Sequence, residues 1–224
     1  MDKQTATSAS RKLDQVYRLL LDRYGPQHWW PGDSPFEVIV GAILTQSAAW
    51  VNVEKAIQVL KERSLLDPSE LLRISQDDLA RLIFSSGYYN AKARKLKAFV
   101  ERLEEGYGGS LSRLFALDTD RLRDELLSIH GIGEETADSI ILYAAGKPMF
   151  VIDAYTRRVI DRLGLRVRER TYAAYQSLFM ERLPHDERLF NEYHALLVRL
   201  GKETCRKKPD CSCCCLETVC KKCL

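Results

Sequence analysis

An all-α fold is predicted by three observations. Apolar residues recur at three- and four-residue intervals along most of the chain, the stretches between them are rich in Gly, Pro, Asp and Ser, and no apolar–polar alternation of strand length occurs. The helical spacing first appears over 12–22, where Leu13, Val16 and Leu20 share a face, and again over 36–45 (Phe36, Ile39, Ile43) and 52–61 (Val53, Ile57, Leu60). Two short segments follow at 70–74 and 79–84. A long one over 92–103 aligns Leu96, Phe99, Val100 and Leu103. Helices are then expected at 120–129, 135–145, 156–163, 171–183 and 188–200. The β-like run PMFVI at 148–152 is better read as a buried connector.

With 224 residues, 46% of them hydrophobic, the chain can bury a sizeable core in one or two domains. No stretch approaches the roughly 20 apolar residues of a membrane span, and the start, MDKQTATSASRKLDQVYRLL, lacks the apolar core of a signal peptide. A soluble, intracellular protein is expected. The net charge of +3 is too small to demand a polyanionic partner, but the basic residues clump in AKARKLK at 91–97 and TRRVIDRLGLRVRER at 156–170. Such runs suit either a solvated face or a phosphate-binding one.

All seven cysteines lie between 205 and 223, which makes them a local site and not a framework of disulfides. Cys205, Cys211, Cys214 and Cys220 are separated by five, two and five residues, a spacing that suits a [4Fe-4S] cluster or a four-thiolate zinc site equally well. Cys213, Cys215 and Cys223 are then spare.

The segment LLSIHGIGEETADSI at 126–140 places two glycines at the seam of two helices. Gly131 can end the first helix in a left-handed conformation, and Gly133 lets another molecule approach the backbone. The first amides of the second helix have no carbonyl within it to bond, so a phosphate can take them. A tight helical turn that binds nothing fits the two glycines equally well.

With its neighbours the segment says more. LLSIHGIGEETADSIILYAAG resembles the helix-hairpin-helix of the endonuclease III superfamily of DNA glycosylases. MFVIDAYTRRVIDRLG resembles the stretch that carries that superfamily's catalytic aspartate, and the cysteine tail resembles its iron-sulfur loop. PFEVIVGAILTQSAAWVNVEKAI at 35–57 and GYYNAKARKLK at 87–97 fit further family segments in order, so the resemblance covers nearly everything from about residue 12. It implies a six-helix domain of 31–146, a second domain of 1–30 plus 147–224, and a DNA-binding cleft between them. It also implies a [4Fe-4S] cluster in preference to zinc.

On this resemblance Asp153 is the catalytic carboxylate, stabilising an oxocarbenium-like sugar or deprotonating the attacking water; by itself its position suits a helix N-cap. Glu135 stands where relatives that also cut the strand carry a nucleophilic lysine, which implies a monofunctional glycosylase. Trp29, Trp30 and Trp50 would line the base pocket with Gln46, Tyr155 and Glu135. Stacking on indoles would favour a cationic alkylated purine, as in the 3-methyladenine glycosylase III branch. Gly131, Gly133, Glu134, Tyr89, Lys92 and Arg94 would meet the DNA backbone, although the acids at 134 and 135 depart from the basic character usual there. His194 receives no role, and Lys202 none in this monofunctional reading.

The expected partner is double-stranded DNA containing a damaged base. The expected state is a monomer with no membrane association, located in the cytoplasm and near the nucleoid if the source is bacterial. Two other readings stay open: a glycosylase-lyase acting on oxidised pyrimidines, with Lys202 as a substitute nucleophile, and a non-catalytic DNA-binding module.

Overall fold

A computed structural model of the chain describes residues 3–222, with side chains from residue 8 onward. Twelve α-helices and no strand occur among the described residues: α1 (Lys3–Tyr24), α2 (Pro35–Leu44), α3 (Trp50–Glu62), α4 (Pro68–Arg73), α5 (Gln76–Leu82), α6 (Tyr89–Tyr107), α7 (Leu111–Phe115), α8 (Thr119–Ser128), α9 (Glu134–Ser139), α10 (Ala154–Leu163), α11 (Tyr172–Met180) and α12 (Glu187–Glu203). The all-α expectation therefore holds. The spacing missed α7, a five-residue turn too short for periodicity to register, and the first helix begins well before residue 12. None of the described helices is long and apolar enough to cross a membrane.

The chain divides into two compact units, Met1–Trp29 with Pro148–Leu224, and Trp30–Lys147. In the continuous unit, α2 is the central helix. All residues from Phe36 to Leu44 are buried, as its apolar composition on every side requires. Ser34 caps its start: its hydroxyl accepts from the Glu37 amide at 3.2 Å, while the Glu37 carboxylate reaches back to accept from the amide of Asp33, one residue before the cap, at 3.0 Å. Lys61 pairs with the buried Glu37 at 2.7 Å and thereby offsets the cost of that charge.

The discontinuous unit joins the two ends of the chain. Leu13, Val16 and Leu20 of α1 are fully buried, as are Val159, Ile160 and Leu163 of α10 and Phe190, Leu196 and Leu197 of α12, each at no more than 1% exposure. The 148–152 connector supplies Phe150, whose ring stacks on Phe179 with centroids 3.7 Å apart and meets Phe190 edge-on at 5.4 Å. Burying side chains of this size stabilises by about 1.5–3 kcal/mol each. That packing explains why an extended apolar run here needs no sheet.

Candidate active site

The glycine pair at 131–133 forms the predicted hairpin between α8 and α9. Gly131 takes φ +81°, and a Cβ on it would come within 2.5 Å of the Lys95 side chain. Gly133 precedes α9 in extended conformation (φ −98°, ψ 179°), with open space where its Cβ would be and no side chain capping the helix. Thus both glycines do what their positions ask: one supplies a conformation, the other an uncovered backbone. Gln46 sits on the hairpin, its amide donating to the Thr136 hydroxyl at 2.9 Å and to the Gly131 carbonyl at 3.2 Å while accepting from Lys95. Lys95, which the sequence did not single out, thereby lies across Gly131 and brings an ammonium group to the turn.

Glu134 and Glu135 are exposed on the first turn of α9. Arg123 reaches from α8 to within 3.5 Å of Glu134 and makes a two-pronged bond to the fully buried Asp138, at 2.7 and 3.3 Å. Two cations, Arg123 and Lys95, therefore accompany the acids at the turn. After Ser139 the helix widens into a π turn, Ile140–Ala144, a feature that often accompanies functional sites.

Side chains cap the starts of α2, α4, α5, α7, α8, α10, α11 and α12, whereas α3, α6 and α9 begin at Ala49, Tyr88 and Gly133 with no side-chain cap. All three belong to the continuous unit. Most of their first-turn amides are left for other partners, the exception in α3 being that of Asn52, which donates to the Ala49 carbonyl at 3.0 Å. Beside the first two starts lie the exposed large apolar side chains, Val51 at 56%, Phe84 at 65% and Tyr88 at 73%. Tyr88 is held at φ +46°, an uncommon conformation for a tyrosine. Tyr89, the expected contact residue, is half-buried and packs on Phe84 with centroids 4.9 Å apart.

Lys92 overturns its expectation. It is 2% exposed, and its ammonium donates to the carbonyls of Leu44 at 2.8 Å and Ser86 at 2.6 Å. It is a structural cross-brace and unavailable to a phosphate; its spacing in α6 puts it on the same buried face as Leu96 and Phe99. Burial and the nearby Lys95 lower its pKa. Arg94, two residues on, is exposed as a phosphate contact would be.

The aromatic residues fall into two sets. In the continuous unit, Trp30 meets Trp50 edge-on at 5.3 Å and Tyr143 at 5.4 Å, and the indole of Trp30 lies over Gly41, where a Cβ would stand 3.1 Å from it. The Trp50 indole N–H donates to Glu54 at 2.6 Å. Tyr143, from the π turn, is a member of this cluster that the sequence did not disclose. Trp29 belongs to the other unit, where Lys202 stands 5.8 Å from its ring centroid.

Asp153 occupies the N-cap of α10, where its carboxylate accepts from the Thr156 amide at 2.7 Å, with its side chain 14% exposed. His194 of α12 approaches the same oxygen to 3.9 Å. Burial lowers the pKa of His194; Asp153 opposes that shift and Lys202 adds to it. Tyr155 lies against the backbone of α12 at Gly201, where any Cβ would meet its ring at 2.6 Å, and Arg158 covers the ring at 5.2 Å.

The helix that starts at Asp153 ends on the cysteine loop. Arg158 donates to the carbonyls of Cys205 and Gly201 at 2.8 and 2.9 Å. Arg162 donates to the Cys205 sulfur at 3.2 Å and to the Arg206 and Lys207 carbonyls at 2.7 and 3.0 Å. Cys205, Cys211, Cys214 and Cys220 all line one small cavity that is partly open to solvent. Cys213 is exposed, Cys215 lies outside that lining, and Cys223 is outside the described residues. Burial pushes the Cys214 thiol up to about 11. Among the described residues no three Cys, His, Asp or Glu side chains close on a single point as ligands of one ion would.

Residues 40–185 match the HhH-GPD superfamily base excision DNA repair protein family. A provisionally named DNA repair glycosylase of Methanocaldococcus jannaschii is 45% identical over 208 residues, 92% of this chain and 94% of that one. Endonuclease III of Thermotoga maritima is 30% identical over 210 residues, 93% and 92% of the respective chains. Among solved structures, the Helicobacter pylori 3-methyladenine DNA glycosylase MagIII bound to 1,N6-ethenoadenine superposes with a TM-score of 0.75 at 25% identity, covering 87% of this chain and 97% of that one. The chain belongs to the HhH-GPD superfamily of base excision DNA repair proteins, as a DNA glycosylase of endonuclease III-like fold.

Proposed function

We propose that the protein removes alkylated purines from double-stranded DNA by hydrolysis of the N-glycosidic bond and leaves the strand intact. Two residue types carry this reading: a carboxylate at position 153, and a glutamate at 135 where strand-cutting relatives carry a lysine. Base departure builds positive charge on the sugar, and the side chain of Asp153, held by the Thr156 amide in a mostly buried position, stabilises that charge and orients or deprotonates water. Glu135 supplies no amine, so no Schiff base forms there. The damaged nucleotide has to leave the duplex for any side chain to reach the bond. The uncapped starts of α3, α6 and α9, with Lys95 and Arg94, offer amides and cations to the phosphates.

The likeness to MagIII supports an alkylated base, and so does the Trp30, Trp50 and Tyr143 cluster, since stacking contributes about 1–3 kcal/mol per base. Dimethyl sulfate-treated duplex DNA tests the reading. The wild type should release 3-methyladenine and leave alkali-labile sites, whereas Asp153→Asn should bind the same DNA and release nothing. An Asp153→Asn variant as active as the wild type defeats the proposal.

A second reading has one observation in its favour. Lys202 is close enough to bear on His194, the neighbour of Asp153, and lies in the same unit. Should it attack the sugar, borohydride would trap a covalent complex on abasic DNA, and Lys202→Ala would abolish the trapping. Absence of trapping supports the monofunctional enzyme.

We also propose that Cys205, Cys211, Cys214 and Cys220 hold a [4Fe-4S] cluster. Four cysteines lining one cavity suit a four-thiolate metal site, and the likeness of the cysteine tail to the iron-sulfur loop of the endonuclease III superfamily favours a cluster over a single zinc ion. The group would cross-link the C-terminal loop and offer one-electron redox chemistry. Arg162, donating to the Cys205 sulfur, would offset part of its negative charge. Iron and sulfide analysis tests the assignment, and stoichiometric zinc overturns it.

A further inference from the structure

We infer that His194 is a positioning residue for Asp153, holding the orientation of the acid on which the proposed base removal depends. The inference rests on that proposed role for Asp153, and its test separates the two.

Asp153 is the last residue before α10, a place where a side chain has rotamer freedom unless something restrains it. One restraint is the Thr156 amide, 2.7 Å from Oδ1. The other is His194, which projects from the middle of α12, a 17-residue helix, and places Nε2 3.9 Å from the same oxygen. That separation exceeds a hydrogen bond, so Nε2 acts on the carboxylate as a close polar neighbour. The imidazole is itself well fixed. It is 6% exposed, meets Phe150 edge-on with centroids 6.4 Å apart, and stands next to the fully buried Tyr193, whose hydroxyl donates to the Leu13 carbonyl at 2.9 Å. A rigid imidazole beside a carboxylate that must face a developing cation limits the acid to a narrow range of orientations. Burial lowers the pKa of the ring, which favours a neutral neighbour that leaves the charge of the carboxylate uncancelled. A water-exposed histidine would do neither.

Three variants of the full-length protein decide the matter, assayed in single turnover on dimethyl sulfate-treated duplex DNA with binding measured separately. His194→Phe keeps a ring and removes the donor. Its rate of base release should fall about tenfold to a hundredfold, the range expected for a misplaced catalytic group, with duplex affinity unchanged. His194→Gln, which returns an N–H near the position of Nε2, should recover most of the rate. Asp153→Asn serves as the reference and should be inactive. If Asp153→Asn is inactive but His194→Phe matches the wild type, or if the Phe and Gln variants fall equally, His194 has no positioning role. If losses in both variants follow the melting temperature or duplex affinity, the residue is structural and the inference is overturned. An active Asp153→Asn would instead overturn the catalytic role of the acid.

Discussion

Arg123 clamps Asp138 with two bonds, at 2.7 and 3.3 Å, and so ties the helix before the hairpin to the helix after it. Asp138 is wholly buried while Arg123 remains 23% exposed, so the two ends of the bond are unequal. Arg123→Ala should cost about 3–5 kcal/mol, because it strips a buried carboxylate of its main cationic partner. Arg121→Ala, which breaks only the exposed pair with Asp118, should cost less than about 1 kcal/mol. Urea denaturation of the two variants compares them directly, and equal losses would refute the clamp.

The two hairpin glycines should respond differently to alanine. Gly131→Ala forces a side chain into φ +81° and against the Lys95 stem, and should lose about 1–3 kcal/mol of stability together with much of its duplex affinity. Gly133→Ala meets open space at a negative φ and should fold almost normally. Any loss of affinity in that variant then reports crowding of a bound phosphate.

Lys92 and Arg94 should separate cleanly in the salt dependence of binding. Arg94→Ala is expected to flatten the slope of log affinity against log salt by about 0.9, the signature of one phosphate contact. Lys92→Met should leave that slope unchanged and lower stability, since it orphans the carbonyls of Leu44 and Ser86. A flattened slope in the lysine variant would show that the ammonium leaves its carbonyls on DNA binding.

Acid sensitivity should carry the mark of His194. Its folded pKa lies below its unfolded value of 6.5, so the unfolded chain takes up the proton first. The stability this group contributes is complete above pH 6.5 and is lost as pH falls through the folded pKa. His194→Gln, which has no proton to take up, should therefore show a shallower decline than the wild type as pH falls below about 6.5. Parallel curves would place the titration elsewhere.

Much of the fold was legible because its causes are local. Apolar spacing marked most helices, and α7 escaped only because five residues hold less than two turns. The glycine elbow was readable from chirality alone, since few residues other than glycine accept the φ of Gly131. Asp153 was readable as a cap, because the donor it serves is three residues away. Other features depended on what lies opposite in space. Lys92 and Arg94 look alike in AKARKLK, yet one is sealed against two carbonyls and the other exposed, because a helix turns about 100° per residue and only the fold fixes which side faces the core.

The chain itself thus determined its helical class, its hairpin, the acid at the start of α10 and the confinement of its cysteines to one loop, all of which follow from residue type and short spacing. Only the tertiary structure decided that His194 approaches Asp153 across 41 positions of sequence, that Tyr143 joins the indoles, and that four cysteines out of seven share a cavity. Those choices belong to side chains brought together by burial of distant apolar faces, and no local pattern encodes the meeting point.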